Sequence, residues 1–64
     1  MFRVRPAPMP GNPAANKIGD KSGLWRVEII DDATGQTRYE HDNVTYDEAF
    51  QKSGELDNIL NSRN

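Results

Sequence analysis

Hydrophobic and polar residues alternate along two stretches of the chain that a short polar turn separates. The first stretch runs from Leu24 to Asp31, and the second runs from Thr37 to Val44. Alternation with a period of two is typical of a β-strand that buries one of its faces. The two stretches therefore predict a β-hairpin.

The turn between these stretches predicts a register for the hairpin. Asp32-Ala33-Thr34-Gly35 is typical of a three-residue loop that ends in a left-handed glycine, in which Asp32 faces Gln36. This register separates an apolar face from a charged face. The predicted apolar face consists of Trp25, Val27, Ile29, Tyr39 and His41, and the charged face consists of Arg26, Glu28, Arg38, Glu40 and Asp42.

A helix is predicted directly after the hairpin. Thr45 and Glu48 have the spacing of a capping box, in which each residue satisfies a backbone amide at the start of the helix. We expect a helix from about Thr45 to Ser53 that packs Phe50 against the apolar face. Gly54 is either a C-cap or a tolerated weak point. Leu56, Ile59 and Leu60 would follow on a second short turn that also returns to the sheet.

The first 23 residues differ in kind from the rest. Residues 2–5 alternate apolar and basic side chains, which indicates either a frayed terminus or a third strand on the hairpin edge. Four prolines and several glycines then predict an extended linker over 6–23. We expect an extended, proline-rich basic arm over 1–23 and a ββα domain over 24–64. The predicted fold class is α+β, a small antiparallel sheet packed against one C-terminal helix.

Length and composition indicate that the chain is only marginally stable by itself. It has 64 residues, no cysteine and 34% hydrophobic residues, so disulfides are excluded and the core is small. A partner protein or a homodimer would supply the missing stability. No apolar run approaches the roughly 20 residues of a membrane span. We therefore expect a cytoplasmic protein that does not bind membranes.

The charge is divided between the two predicted parts. Residues 1–23 contain four basic and one acidic side chain, a net charge of +3. Residues 24–64 contain four basic and nine acidic side chains, a net charge of −5, and the total is −2. An acidic body argues against direct nucleic-acid binding, because phosphate contacts need a positive surface. It favours docking on a basic surface of a larger protein.

No catalytic or cofactor-binding pattern is present in the sequence. His41 is the single histidine, and the chain lacks the cysteine or second histidine that a nucleophile or a zinc site would need. The carboxylates Glu28 and Glu40 face each other in the predicted register, but so short a chain cannot enclose a glycosidase cleft. We expect no enzyme activity, no metal and no cofactor.

Part of the chain resembles two families of phage inhibitors. Leu24-Trp25-Arg26-Val27-Glu28, the strand that ends at Val44 and Thr45-Tyr46-Asp47-Glu48-Ala49 resemble the core of the small bacteriophage proteins that inhibit bacterial RNA polymerase. That family carries an Arg-x-Arg-Pro strand, whereas Arg3-Val4-Arg5-Pro6 stands here at the N-terminus. Asp31-Asp32, Gly35-Gln36 and Tyr39-Glu40 are also similar to phage inhibitors of uracil-DNA glycosylase, which mimic DNA. The resemblance covers residues 24–50 and implies a small acidic inhibitor acting in the host cytoplasm.

These observations lead to one main functional hypothesis and two alternatives. The main hypothesis is a non-enzymatic protein-binding module whose acidic surface docks on a host nucleic-acid enzyme such as RNA polymerase and inhibits or modulates it. The predicted partner-binding residues are Glu28, Asp31, Asp32, Glu40, Asp42, Arg3 and Arg5. One alternative is a nucleic-acid-binding accessory protein that uses the basic arm with Trp25 or Tyr39 exposed. The other is a minor structural or assembly protein.

Overall fold

A computed structural model describes residues 1–62 as a three-stranded antiparallel sheet with one helix on one of its faces. The strand order is β1-β2-β3, so β2 is the central strand. This confirms the α+β fold class and the third, N-terminal strand. Arg63 and Asn64 of the predicted 24–64 domain lie outside the described residues. The elements are β1 (Phe2–Pro8), a 3₁₀ helix (Pro13–Asn16), β2 (Trp25–Asp31), β3 (Thr37–Val44) and α1 (Tyr46–Asn61).

The predicted register of the hairpin is wrong by one residue. Asp31, not Asp32, faces Gln36, because the Asp31 amide donates to the Gln36 carbonyl at 2.9 Å. Glu28 consequently lies opposite Tyr39, and Val27 lies opposite Glu40. Since successive side chains alternate across a strand, this shift moves every side chain of β3 from Thr37 to Glu40 to the other face of the sheet.

The extra loop residue explains the shift. Gly35 ends the loop with a φ of +75°, as predicted, but the loop begins one residue earlier and contains four residues. The carboxylate of Asp31 accepts from the Ala33 amide at 2.9 Å, so Asp31 takes the place before the loop that was predicted for Asp32. A left-handed glycine fixes where a hairpin loop ends, whereas either of two adjacent aspartates can begin it.

A bulge in β3 shifts the register by two residues near the open end of the hairpin. Three residues, 41–43, lie between the partner of Val27 and the partner of Trp25, where β2 has one. His41 and Asn43 both adopt left-handed backbone conformations, with φ of 57° and 63°. His41 is therefore exposed in the bulge and does not belong to the apolar face, contrary to the prediction.

The core lies between α1 and the sheet. Trp25, Val27 and Ile29 project from β2 towards the helix and are buried. On the helix, Ala49 and Ser53 are buried against the sheet, and their small side chains let the helix approach closely. The Ser53 hydroxyl donates to the Ala49 carbonyl at 2.7 Å, so the buried hydroxyl is satisfied within the helix.

Helix α1 begins as predicted and ends later. The Thr45 hydroxyl accepts from the Glu48 amide at 3.2 Å, which confirms this half of the capping box. The helix then continues through Gly54 to Asn61 without the predicted break at Ser53. The predicted burial of Phe50 is also wrong, because this side chain is 62% exposed at the flank of the helix. Leu56 and Leu60 are half-buried, while Ile59 is exposed.

Gly54 is a weak point inside the helix, and we expect Gly54→Ala to raise the melting temperature. A Cβ at this position would meet no atom within 4 Å, and its φ is not positive. Alanine therefore fits without strain and removes the entropy that glycine loses on folding, about 0.5–1 kcal/mol. Thermal denaturation followed by circular dichroism should show an increase of about 2–8 °C. An unchanged or lower melting temperature would contradict the continuous helix.

The N-terminal segment belongs to the folded body. The predicted short strand over 2–5 extends to Pro8, and residues 13–16 form a 3₁₀ helix, so the predicted extended linker over 6–23 contains regular structure. The Asn12 side-chain amide donates to the Ser22 and Leu24 carbonyls and its oxygen accepts from the Ala14 amide. These bonds tie the two ends of the β1–β2 connection together. The predicted boundary at residue 23 therefore does not separate an arm from a domain.

The Asp20 carboxylate makes a local turn within this connection. It accepts from the amide and the hydroxyl of Ser22 at 2.9 Å and 2.6 Å. These hydrogen bonds, with a smaller contribution from Lys17, hold the pKa of Asp20 below its ordinary value, because they favour the charged form.

Candidate binding face of the sheet

One face of the sheet is covered by α1, and we call the opposite face the open face. Because the β-pairing places Arg3 opposite Ile30 and Arg5 opposite Glu28, these side chains leave the sheet on the side away from the helix. Glu28 also pairs with Tyr39, which puts the third strand on the same face. The open face consists of Arg3, Arg5 and Ala7 of β1, Arg26, Glu28 and Ile30 of β2, and Thr37 and Tyr39 of β3.

Arg26 and Tyr39 form a stacked pair at the centre of the open face. The Arg26 guanidinium carbon lies 3.5 Å from the centroid of the Tyr39 ring. Such a cation–π contact holds the guanidinium flat on the ring. Arg26 Nε is buried there without a hydrogen-bond partner among the described residues. The Tyr39 side chain remains partly open to solvent, with 43% of the residue exposed.

The other two arginines of the open face each bind a carboxylate. Arg5 Nε donates to Glu28 Oε1 at 2.6 Å, and the Tyr39 hydroxyl lies 3.5 Å from the second Glu28 oxygen. Arg3 Nε donates to Asp32 Oδ1 at 2.9 Å at the hairpin end of the face. Both arginine side chains are 68% exposed. Their remaining guanidinium N–H groups are therefore accessible to a ligand.

The open face is consequently positive, although the whole chain is negative. It carries three arginines against one glutamate, with Asp32 at its edge. No salt bridge of Arg26 is found within residues 1–62. The acidic outer face expected from the sequence therefore does not exist in the predicted form, because its residues are distributed over different parts of the molecule.

The predicted partner-binding residues are brought together only in part. Glu28 and Glu40 lie on opposite faces of the sheet, and Glu40 pairs with Arg38 at 3.5 Å on the helix side. Asp31 and Asp32 are in the turn, and Asp42 is in the bulge. Arg3 and Arg5 share the open face with Glu28.

The cations of the predicted basic arm do not act as one group. Arg3 and Arg5 lie on the open face, whereas Lys21 Nζ lies 5.1 Å from the centroid of the Tyr46 ring. Tyr46 packs on Trp25 at the helix side of the sheet, with ring centroids 4.8 Å apart. Trp25 is thus core, as the sequence analysis favoured, and Tyr39 is the exposed aromatic residue of the sheet.

Sequence reasoning missed Arg26 and Tyr39 as partners in one site. The assumed register placed them on opposite faces, so their stacking could not be inferred. The sequence contained one indication, the two adjacent aspartates, which permit the observed register as well as the assumed one. A register that begins the loop at Asp32 and pairs Asp31 with Gln36 would have placed Tyr39 beside Glu28 and near Arg26.

The described part of the chain offers no metal site and no membrane-crossing helix. No group of three or more potential metal-ligating side chains is found in residues 1–62. Over the same residues, no helix is long and apolar enough to cross a membrane. Comparison with protein-family models, curated proteins and solved structures finds no match for this chain. The site must therefore be interpreted from its own geometry.

Proposed function

We propose that this protein is a small non-enzymatic module that binds single-stranded nucleic acid on the open face of its sheet. The observation that carries the proposal is the Arg26–Tyr39 stack between the exposed guanidinium groups of Arg3 and Arg5. Proteins that bind single strands combine a positive surface for the phosphates with planar side chains on which bases stack.

The two kinds of contact are available at the same time. The outer side of the Arg26–Tyr39 stack offers a planar surface to a base. The Tyr39 ring and the Arg26 guanidinium can each stack with any type of base. Arg3 and Arg5 occupy the neighbouring strand, which places guanidinium groups beside the stack. Guanidinium groups bind phosphate oxygens with directed N–H donors. A single strand of nucleic acid that lies across the sheet could therefore contact the Arg26–Tyr39 stack with a base and the guanidinium groups of Arg3 and Arg5 with its phosphates.

The distribution of the acidic residues favours this face over the rest of the surface. The net charge of −5 over residues 24–64 argued against nucleic-acid binding by the predicted ββα domain. In the folded chain, four carboxylates, those of Asp47, Glu48, Glu55 and Asp57, lie on α1, on the opposite side of the sheet. The negative charge would thus repel a nucleic-acid strand from the helix side of the protein and leave the open face accessible to it.

We expect a fluorescein-labelled oligo(dT) of about 15 nucleotides to bind the protein in a salt-dependent manner, measured by fluorescence anisotropy. Two arginine–phosphate contacts, those of Arg3 and Arg5, predict a slope of about −1.4 for log K against log salt on a single strand. An abasic oligonucleotide with the same number of phosphates should bind about tenfold more weakly, because base stacking contributes about 1–3 kcal/mol per base.

Four variants separate stacking from charge. Tyr39→Ala and Arg26→Lys should each weaken binding of oligo(dT) about tenfold, whereas Tyr39→Phe, which keeps the ring, should bind normally. The Lys52 side chain on α1 is 38% exposed. Lys52→Ser removes this cation from the opposite side of the sheet and should leave the affinity for oligo(dT) unchanged. Equal losses for Lys52→Ser and Arg26→Lys, or no binding to oligo(dT) at low salt, would overturn the proposal.

The protein-docking function remains a second candidate. The carboxylates of α1 form an acidic side that a basic surface of a larger protein, such as a nucleic-acid enzyme, could recognise. This candidate is supported by the separation of acidic from basic residues in the fold. The acidic residues are concentrated on α1, whereas the sequence analysis expected them on the hairpin. Affinity capture from a bacterial lysate would identify such a partner. Loss of capture in Glu48→Lys but not in Tyr39→Ala would favour this candidate over the nucleic-acid module.

A further inference from the structure

The two edges of the sheet differ in their capacity to pair with another strand. At the β1 edge, the Asn61 side chain donates to the Phe2 carbonyl and accepts from the Phe2 amide, both at 2.8 Å. Phe2 therefore directs its backbone groups away from β2, and the alternate residues of the strand share this direction. Two of these are Pro6 and Pro8, which have no N–H to donate. The β1 edge is thus closed to a further strand.

The β3 edge has no comparable protection before its bulge. Because the Asp31 amide donates to the Gln36 carbonyl, Gln36, Arg38 and Glu40 direct their backbone groups towards β2. Thr37 and Tyr39 then direct their N–H and C=O groups outward, away from the sheet. Helix α1 lies over β1 and β2 and covers little of β3. Both faces beside this edge are therefore open to an approaching strand.

The charges along β3 favour a second copy of the same strand in one register. Two antiparallel copies can pair about a two-fold axis at Arg38, Tyr39 or Glu40. An axis at Arg38 sets two arginines opposite each other, and an axis at Glu40 sets two glutamates opposite each other. An axis at Tyr39 sets Arg38 opposite Glu40 of the second copy, twice. Among the residues before the bulge, only this register joins opposite charges, and it also pairs the outward backbone groups of Tyr39.

We propose that this protein forms a two-fold dimer by antiparallel pairing of β3 with β3 of a second copy, with the axis at Tyr39. The Tyr39 N–H of each copy donates to the Tyr39 carbonyl of the other, and two Arg38–Glu40 pairs flank this centre. The axis is perpendicular to the sheet, so both helices lie on one side. The two open faces join on the other side, with the two tyrosines adjacent. The bulge at 41–43 ends the ladder.

The ladder is short, so the dimer is weak and its population rises with protein concentration over the micromolar to millimolar range. Sedimentation velocity of the full chain from about 10 µM to about 1 mM should show a monomer–dimer equilibrium. Glu40→Arg and Arg38→Glu each set like charges opposite each other at two places, and each should weaken self-association roughly tenfold or more. An equimolar mixture of the two variants should recover dimers, because the two arginines of the first variant then face the two glutamates of the second. A wild-type chain that is monomeric throughout overturns the proposal.

Two controls separate this register from general charge attraction. Glu48→Arg makes the same charge change on α1 and should leave the wild-type association constant unchanged. A chemically synthesised chain with an N-methyl group on Tyr39 keeps every side chain and should lose both central hydrogen bonds, so it should not dimerise. Circular dichroism must show that each variant is folded, as expected from the 60% and 41% side-chain exposure of Arg38 and Glu40. Dimerisation of the N-methyl chain at the wild-type level would place the contact elsewhere.

Discussion

Trp25→Ala should unfold the protein at room temperature. Trp25 is 8% exposed and lies in the core with Ala14 and Ala49. Its indole N–H donates to the Ser22 carbonyl at 2.8 Å, and its ring meets the edge of Tyr46. Truncating a buried tryptophan costs about 3–5 kcal/mol. A domain of this size rarely has more than about 3–5 kcal/mol of total stability, so the loss is sufficient to unfold it.

Phe50→Ala provides the matched comparison. Phe50 is 62% exposed, although its ring stacks beside Tyr46 at a centroid distance of 6.2 Å. Its truncation should therefore cost less than about 1 kcal/mol and leave the far-ultraviolet circular dichroism spectrum unchanged. Urea denaturation of both variants checks the contrast. If the two variants lost similar stability, the core would lie on the Phe50 flank of the helix instead of beneath Trp25.

The fold class could be predicted because its signals are local. Alternation in two stretches, the alternating residues 2–5 and the Thr45 cap each specify an element without reference to the others. The length of α1 could not be predicted in this way. Gly54 weakens a helix only slightly, and the partial burial of Leu56 and Leu60 beyond it outweighs that cost. Tertiary contacts decide such cases, and the sequence does not display them.

The composition of the two sheet faces could not be predicted because it depends on a single residue of the turn. Asp31 and Asp32 are adjacent, and the side chain of either one can bond to the backbone amide two residues further on. The sequence would distinguish the two loops only if one of these positions were not aspartate. The one-residue difference moves Tyr39 from the core face to the open face. The candidate site of Arg26 and Tyr39 therefore became visible only when the pairing was known.

The same substitution on the two faces of the sheet should have different consequences. Glu28→Lys should destabilise the protein by about 3 kcal/mol or more, since it places a lysine ammonium at a largely buried position without a carboxylate partner. The Glu28 side chain is 12% exposed and binds Arg5 at 2.6 Å. The new lysine would also lie beside Arg26, two residues away along β2 on the same face. We expect Glu28→Lys to be largely unfolded at neutral pH in urea denaturation experiments.

Glu40→Lys makes the same charge change on the side of the sheet that carries α1. Its side chain is 41% exposed and pairs with Arg38 at 3.5 Å, and an exposed pair of this kind contributes at most about 1 kcal/mol. This variant should therefore remain folded. Equal destabilisation by the two substitutions would contradict the observed register, because the sequence-based register places both glutamates on one exposed face. The double variant Arg5→Glu with Glu28→Lys should recover part of the lost stability, since it restores opposite charges at the buried pair.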